Sequence, residues 1–517
     1  MLPSIACGSK RPGRCQLPGF SSGLAAQVDA RANQLAHHLI AQGASLGSAV
    51  GLLLEPSTDA IIAMLAVLKA GCCYLPLQQH CSDAALALVA EDASLAVAVA
   101  HRGLQRRLPV GHAVRAVALD APREEAAIRR RPTHRPGRRA APVDAAYVLF
   151  FQAAGATRPT GTVHQHAGLA DMLAGMAHLA GTGTGSIADH QPRVALAAPL
   201  TEHAAALEVW TPLTQGGVLV IARPDADLDV PYFAGLLAHA RITAAHFTAK
   251  ALESAAQTRA LEAAAGSLRC IWVTEPLEPG VAEATFEALP GAMLVLGYGL
   301  LEATPFVTAA VLRKGDELVG DPIGRPLTHT RARPRAVKSE HAHLSGPCCV
   351  LLILSGCNMA CRAAIWHVWL LSGQPMRPIP TCGAQALVLD DLQNPVPVGV
   401  PGQLHVSGAC LARGYIGLPQ LTAEHFVPNP LFDAHADEAQ YALMFRTGDL
   451  VAWQPDGSLR YVNRVGDEVQ HAPCLATCLL HLTRPPACRV CHVPARSGCW
   501  AVPLPAGRSD RGSLEWL

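Results

Sequence analysis

The sequence has almost no excess of either charge and no long apolar run. Its 517 residues carry 41 Lys and Arg against 40 Asp and Glu, which gives a formal net charge of +1. A chain so balanced has no general electrostatic field for nucleic acid or for a membrane surface. The densest apolar run, "CCVLLIL", is far shorter than the roughly 18 residues that span a bilayer. These absences predict a globular, cytoplasmic protein with no nucleic-acid partner and no membrane partner.

The N-terminal stretch lacks acidic residues, and we expect no secretory signal there. The first 28 residues contain no Asp or Glu but do contain Lys10, Arg11 and Arg14. The apolar stretch "LPSIAC" is too short for the core of a signal peptide. We predict that residues 1–23 are unstructured, with an organelle transit peptide as the alternative.

The 17 cysteines are unevenly spread, and more than half of them lie in two late clusters. Without a secretory signal, reduced thiols are the default. The run "CRVCH" at 488–492 has the form of a c-type haem attachment site. Three interpretations stay open: haem, structural zinc, or a chance cluster. The chance cluster fits best, because haem attachment needs export and no helical pattern surrounds the run.

Apolar residues recur along most of the chain with two different periods. Residues 24–100 and 147–296 alternate between helix-period segments such as "DARANQLAHHLIAQ" and short apolar runs such as "GVLVIA". Such alternation predicts mainly parallel sheets covered by helices on both faces. From about residue 385, short strand-like runs are separated by Pro and Gly, which predicts a small β-rich unit.

Three segments break this pattern. Residues 101–143 hold eleven arginines against three acids, which we interpret as a solvated linker, with nucleic-acid contact as the alternative. Residues 328–384 and 471–517 show no steady period and are rich in Cys, Pro, His and Arg. We interpret them as an insert, predicted to be disordered, and an irregular tail. Translated noncoding sequence is a further hypothesis for both.

Four motifs follow one another in a specific order along the second half of the chain. They are "GYGLLEAT" at 297–304, "VPGQLHVSGACLARGYIGLPQLTAEHFV" at 400–427, "FRTGDL" at 445–450 and "NRVGDEV" at 463–469. In this order and spacing they resemble the adenylation domain of nonribosomal peptide synthetases, a branch of the adenylate-forming (AMP-binding) ligases. The resemblance covers residues 24–100, 143–325 and 386–469.

The resemblance implies an α/β fold whose N-terminal core has two parallel-sheet subdomains and a small β-rich subdomain. The core would occupy residues 24–464, interrupted by the insert 328–384. Residues 465–517 would be a hinge remnant and a Cys-rich tail. The matching text stops at Val469, and residues 470–517 contain no lysine, so the mobile C-terminal lid of the family, which carries a catalytic lysine, is expected to be missing.

The same resemblance implies ATP and Mg²⁺ as cofactors. Tyr298 and Gly299 match the part of the family site that binds adenine. Glu302 falls on the magnesium ligand, a hard oxygen donor suited to a hard cation, and is a candidate catalytic residue. Asp449 matches the aspartate that accepts both ribose hydroxyls, and Arg464 matches the arginine near the ribose and the hinge.

Other parts of the family site are changed. The phosphate loop, approximately "YTSGTTGKPKGV" in the family, is replaced by "FQAAGATRPTGTV" at 151–163. Thr157 and Gly161 remain as candidate nucleotide-binding residues. Thr160 takes the place of the loop lysine and is the second candidate catalytic residue.

The acid pocket also differs. The aspartate that pairs with an amino acid's ammonium group aligns with His203, and its neighbour Glu202 could substitute. The alternative is that both residues simply cap the helix that follows.

Three functions are compatible with these residues. The first is activation of an amino acid or another small carboxylic acid to an acyl adenylate, for transfer to a phosphopantetheine carrier, with weak or no activity as written. The second is a noncatalytic protein that binds a nucleotide or a partner. The third is a relative of the acyl-CoA synthetases, suggested by "APLTEH" at 198–203.

Overall fold

The computed structural model describes residues 4–7, 22–109, 114–152, 158–181, 191–316, 318, 321–327, 383–432 and 439–465. All of them belong to the unit Met1–Gly466, and only that unit is described below.

The described strands are mostly four to seven residues long. They are β1 Ser4–Cys7, β2 Ala49–Leu53, β3 Cys73–Pro76, β4 Val97–Ala100, β5 Arg115–Ala118, β6 Ala145–Phe151, β7 Thr160–Gln165, β8 Arg193–Leu196, β9 Val218–Ile221, β10 Ala244–Phe247, β11 Cys270–Val273, β12 Met293–Tyr298, β13 Thr308–Leu312, β14 Asp321–Pro326, β15 Gln385–Leu389, β16 Pro401–Ser407, β17 Phe426–Pro428, β18 Leu443–Trp453 and β19 Leu459–Arg464.

The helices alternate with the strands in the first two-thirds of the chain. They are α1 Ser22–Ala41, α2 Thr58–Lys69, α3 Asp83–Asp92, α4 Pro122–Arg129, α5 His166–Gly181, α6 His203–Thr214, α7 Val230–His239, α8 Ala249–Gln257, α9 Pro279–Ala288 and α10 Pro419–His425.

The strands form two sheets. The small sheet has the order β5-β4-β2-β3-β6-β7 and the large sheet the order β1-β9-β8-β10-β11-β12-β13-β14-β19-β18-β16-β15, with β17 beside β18. Strands β1 to β12 of the large sheet pair in parallel, and the pairs from β12–β13 onward are antiparallel. The predicted α/β class, with mainly parallel sheets and a β-rich part late in the chain, is confirmed.

The order of the large sheet places a topological switch point at β8. The chain runs from β8 to β9 on one side and returns to β10 on the other side. In open α/β sheets, ligands bind outside the carboxyl ends of the strands at such a point. Helix α6 begins there, at His203, and every later residue of α6 is buried.

Four main apolar clusters hold these layers together. One contains residues of both sheets and of α1, α2, α5 and α6, and therefore lies between the sheets. A second joins the large sheet to α7, α8 and α9, and a third joins the small sheet to α3. The fourth fills the β-rich part and also includes Ala303 and Val307, from the turn after β12. The turn that follows β12 therefore packs into the β-rich part of the fold.

Several helix ends follow from local sequence. Ser57 caps α2 by accepting a hydrogen bond from the Ala60 amide, and Ser82 caps α3 in the same way. Gly71, with φ of +74°, supplies the left-handed residue that follows α2. These short polar and glycine signals set the helix boundaries that the apolar period alone leaves open.

The structure differs from the sequence expectations in three places. Ser4–Cys7, expected to be unstructured, form β1 and pair in parallel with β9, because an open sheet edge accepts any short extended segment. The arginine-rich segment 101–143 is not a linker: it contains β5 and α4, and Val117 and Leu108 are buried. Ala384, expected inside the insert, is buried in the β-rich core.

The other domain boundaries stay predictions. Residues 328–382 and 466–517, including "CRVCH", lie outside the described residues. In the part of the chain that the structure describes, no helix combines the length and apolar character needed to cross a membrane.

Candidate active site

Three residues from distant parts of the sequence meet at the end of β12. The Tyr298 hydroxyl donates a hydrogen bond to Oδ2 of Asp449, with an O–O distance of 2.5 Å. Arg464 lies opposite Asp449 across the β18–β19 pair, and its Nη1 is 3.8 Å from Oδ1 of Asp449. The structure thus brings together the residues that were predicted to hold adenine and ribose. We call these three residues the adenosine end.

The electrostatics of the adenosine end favour a tyrosine donor and a carboxylate acceptor. Burial raises the pKa of Tyr298, and the charge of Asp449 raises it further. Burial also raises the pKa of Asp449, whereas the Tyr298 hydrogen bond and the Arg464 charge act in the opposite direction. Arg464 is 60% exposed, so solvent screening leaves little energy in its ion pair.

Two glycines fix the backbone around this group. Gly448, just before Asp449, has φ of +78°, a conformation that side chains of L-residues rarely adopt. The Asp449 amide then donates to the Thr447 hydroxyl at 3.0 Å, which orients the carboxylate. At Gly299 an added Cβ would lie 1.9 Å from the Pro305 carbonyl oxygen. The turn after Tyr298 therefore has no room for a side chain.

Glu302 lies in that same turn and is held by Tyr415 and Ala412, two residues of the 400–427 motif to which the sequence analysis gave no role. The Tyr415 hydroxyl donates to Glu302 Oε1 at 2.7 Å, and the Ala412 amide donates to the Glu302 carbonyl oxygen at 2.8 Å. Burial and the nearby Glu302 charge both raise the pKa of Tyr415. Tyr415 stands in the quoted "ARGYIG" text, so the motif contained the signal.

The described residues contain no group of three or more His, Cys, Asp or Glu side chains that could hold a metal. This does not conflict with the magnesium prediction, because Mg²⁺ is commonly bound through one or two carboxylates, with substrate phosphates and water as its other ligands. The single carboxylate of Glu302 fits that kind of site.

The phosphate loop is only partly described. Thr160 and Gly161 begin β7, which forms a hairpin with β6, whereas Thr157 lies outside the described residues. At Gly161 an added Cβ would lie 2.7 Å from the Ile416 side chain and from the Phe150 ring. Arg158, the cation of this loop, pairs with Asp92 of α3 at 2.7 Å. We call the β6–β7 connection the phosphate end.

His203 lies apart from the adenosine end, in a cluster of rings at the start of α6. Its ring is 5.0 Å from that of His164, and its Nε2 is 3.4 Å from the Tyr147 hydroxyl. Burial lowers the pKa of His203 to about 3, and burial also lowers the pKa of His164. Glu202 occupies the N-cap position but its side chain makes no capping hydrogen bond.

Strand β7 connects the ring cluster around His203 with the turn that carries Glu302. The Nε2 of His164 lies 3.1 Å from the Thr162 hydroxyl, and His164 is also hydrogen-bonded to the backbone of Leu301. Leu301 precedes Glu302 in the chain. The ring cluster therefore adjoins the turn that carries the candidate metal ligand.

Sequence reasoning also missed a buried carboxylate beneath this cluster. Glu208 is fully buried in α6, and its Oε2 accepts hydrogen bonds from the amides of Ala197 and Ala198, each at 3.0 Å. His246 at the end of β10 has its Nδ1 4.0 Å from Glu208 Oε1. The signal was a lone charge in the apolar run "AAALEVW". Glu208 thus fixes the loop after β8, at the switch point.

A family model described as "AMP-binding enzyme" matches residues 25–337. Phosphinothricin tripeptide synthetase PhsB of Streptomyces viridochromogenes is 29% identical over 445 residues, which cover 86% of this chain and 31% of PhsB. Tyrocidine synthase 3 of Brevibacillus parabrevis is 27% identical over 448 residues, which cover 86% of this chain and 6% of that synthase. The chain spans less than a third of the length of these curated relatives.

Two solved structures share the fold. The nonribosomal peptide synthetase FmoA3 superposes with a TM-score of 0.66 at 18% identity, over 90% of this chain and 41% of FmoA3. The N-terminal subdomain of Klebsiella oxytoca NpsA, in complex with 3-hydroxybenzoyl-AMSN, superposes with a TM-score of 0.63 at 18% identity, over 90% of this chain and 96% of that subdomain. Since the family model also matches more than half of the sequence, the chain belongs to the AMP-binding enzyme family.

Proposed function

We propose that this chain is an adenylation core. In this reaction a carboxylate oxygen bonds to the α-phosphorus of ATP, the bond from that phosphorus to the bridging oxygen breaks, and pyrophosphate leaves. The product is an acyl adenylate, whose acyl group then passes to the thiol of a phosphopantetheine carrier. The observation that carries the proposal is the contact between Tyr298 and Asp449, which joins an aromatic ring and a carboxylate beside the turn of Glu302.

Tyr298 and Asp449 of the adenosine end, and Glu302 in the turn beside them, each have a specific task in this proposal. The Tyr298 ring stacks on adenine. Asp449 accepts hydrogen bonds from the ribose hydroxyls, and its Oδ1 is available because the nearest described partner, Arg464, is 3.8 Å away. Glu302 binds Mg²⁺, which supplies charge neutralisation of the phosphates. Two anions must approach each other in the reaction, so alignment and neutralisation are its main requirements.

The acid is proposed to bind at the carboxyl ends of β8 and β10, beside His203. With a pKa of about 3, the His203 imidazole is neutral at pH 7. It can form hydrogen bonds but does not offset the positive charge of an α-ammonium group. The neighbouring Glu202 is exposed and carries a carboxylate. The substrate class is therefore a small carboxylic acid. An amino acid would be a substrate only if the Glu202 carboxylate pairs with its α-ammonium group.

A second candidate function is nucleotide binding without chemistry. It is favoured by the phosphate end, where no lysine is present and Arg158 already pairs with Asp92. The third candidate, an acyl-CoA synthetase relative, is less well supported, because the relatives described above are peptide synthetases.

Two measurements on the same preparation separate the first two candidates. Exchange of labelled pyrophosphate into ATP is measured with a panel of amino acids and of carboxylic acids without an amino group. Calorimetry measures AMP binding in parallel. Exchange with any acid, by this chain or by a fusion that adds a complete family lid after Val469, supports adenylation. AMP binding without exchange by either protein supports the second candidate, and the absence of AMP binding and of exchange contradicts both candidates.

A further inference from the structure

The contact between Tyr415 and Glu302 has a polar part that packing does not explain. The Tyr415 side chain is buried, and its ring lies edge-on to Phe426 with a centroid distance of 5.7 Å and to His425 with 6.0 Å. A phenylalanine would make the same ring contacts. The hydroxyl adds one interaction, a 2.7 Å hydrogen bond to Glu302 Oε1. Among the described residues, Glu302 Oε2 has no hydrogen-bond or ion-pair partner.

The backbone around Tyr415 leaves the hydroxyl little freedom to move. We call residues 412–416 the strap. The strap pairs with β7 through three hydrogen bonds of 2.7 to 3.1 Å, and the Ala412 amide donates to the Glu302 carbonyl oxygen. The Tyr415 amide donates to the Thr422 hydroxyl at 3.0 Å. The strap therefore joins β7, at the phosphate end, to the turn that carries Glu302.

We propose that Tyr415 is a positioning residue for Glu302. Its hydroxyl holds Oε1, so that Oε2 is presented to a divalent cation that is bound together with the nucleotide phosphates. A carboxylate on a flexible side chain otherwise has several rotamers, and fixing one oxygen selects the rotamer that faces the cation. This inference rests on the proposed function in one respect, since it assumes a divalent cation at Glu302.

The test uses Mn²⁺ as a paramagnetic probe, with binding followed by electron paramagnetic resonance in the presence of a non-hydrolysable ATP analogue. Tyr415→Phe removes only the hydroxyl and should weaken Mn²⁺ binding by about tenfold, the loss typical of a hydrogen bond to a charged group. Glu302→Gln should weaken it at least as much. If Tyr415 acts through Glu302, the double variant should bind Mn²⁺ no more weakly than Glu302→Gln alone.

Two controls keep a structural role apart from a positioning role. Tyr232→Phe removes a hydroxyl that, within the described part of the chain, accepts only from the Arg223 amide, and it should leave Mn²⁺ binding unchanged. AMP binding without metal should be the same in Tyr415→Phe as in the wild type. If Tyr415→Phe fails to fold, Glu302→Asp withdraws the carboxylate from the hydroxyl and should weaken Mn²⁺ binding to a similar extent.

The outcomes separate this inference from the proposed function. Equal Mn²⁺ affinity of Tyr415→Phe and wild type, or a fully additive double variant, overturns the positioning role and leaves the adenylation proposal intact. A wild type that binds the analogue but no Mn²⁺ overturns the inference and the metal role that the proposed function gives Glu302, but leaves nucleotide binding intact. A wild type that binds neither overturns both.

Discussion

The adenosine end and the phosphate end of the site differ in the contacts that their side chains make. At the adenosine end, Tyr298, Asp449 and Arg464 contact one another. At the phosphate end, the loop between β6 and β7 carries no lysine. Arg158 forms an ion pair with Asp92 of α3, the helix that packs on the small sheet. We propose that the first group binds a nucleoside, and we infer that the second lacks the lysine that would bind the phosphates of ATP.

This difference predicts that nucleoside binding and phosphate chemistry can be separated within this fold. Stacking and a ribose acceptor depend on groups that pack with the β-rich core. Alignment of a carboxylate with the α-phosphate depends on positive charge, which a threonine hydroxyl does not supply as an ammonium does. A chain of this kind can retain affinity for the adenosine part of ATP while reacting slowly.

The largest expected effect concerns the phosphate end. We expect this 517-residue chain to give little or no pyrophosphate exchange with any proteinogenic amino acid, because one missing preorganised donor typically reduces the rate by about 10²- to 10³-fold. Thr160→Lys alone should not restore exchange, because residues 470–517 also lack a lysine. Fusion of a complete family lid after Val469 should restore more exchange than Thr160→Lys does.

The exchange assay needs AMP binding as its control, so that an unfolded preparation is not counted as an inactive one. Robust exchange by the unmodified chain would remove the contrast between the two ends. Full rescue by Thr160→Lys would restrict the defect to the loop.

The next effect in size concerns the adenosine end. Asp449→Ala should weaken AMP binding at least about tenfold, because loss of a charge-assisted hydrogen bond costs about 1.5–3 kcal/mol. The matched control is Asp456→Ala, an exposed aspartate in the turn between β18 and β19. Calorimetry that gives the same affinity for Asp449→Ala and wild type would contradict the ribose role.

The motif residues of the adenosine end lie together in the structure, as the resemblance implies, whereas the surroundings of His203 were not predicted, for a physical reason. Tyr298 and Asp449 belong to motifs that need a strained or crowded backbone, such as Gly299 and Gly448, and such motifs tolerate few changes. The surroundings of His203 and Glu208 depend instead on which strands are neighbours in the sheet. The spacing of apolar residues along the sequence does not give the order of β8, β9 and β10. Segment 101–143 was misinterpreted because arginine content conceals the short apolar runs that form β5.

A smaller effect concerns the pH dependence of stability, and its sign differs between two buried histidines and Asp449 of the adenosine end. Burial lowers the pKa of His203 to about 3 and of His166 to about 4. Each therefore contributes stability that is present above the unfolded pKa of about 6.5 and is lost as the pH falls towards its folded pKa. Asp449 has a raised pKa and so acts in the opposite direction.

Lowering the pH from 7 to 5 should reduce the free energy of unfolding by about 1–2 kcal/mol for each of these histidines. The groups that face His203 are Tyr147 and His164. Denaturant titrations of His203→Asn should therefore show a shallower fall between pH 7 and 5 than the wild type. An unchanged pH dependence would show that His203 is not buried in its neutral form.

The smallest expected effect concerns the segment 328–382, and it tests whether the adenosine end depends on that segment. Its two flanks already adjoin one core: the Leu327 amide donates to the Val307 carbonyl oxygen, and Val307 belongs to the same apolar cluster as Ala384. Gly383 must be kept, because its carbonyl accepts from the Tyr441 hydroxyl at 3.1 Å. Replacing residues 328–382 by a flexible linker of about 15 Gly and Ser residues, long enough to cross the three strands between β14 and β15, should therefore leave AMP affinity unchanged and should not lower the unfolding temperature. A second variant that also removes Gly383 and Ala384 should be less stable, by about 1–3 kcal/mol for the lost burial and hydrogen bond.

If the first deletion weakens AMP binding as strongly as Asp449→Ala, the adenosine end is not independent of this segment, and the contrast with the phosphate end would need another explanation.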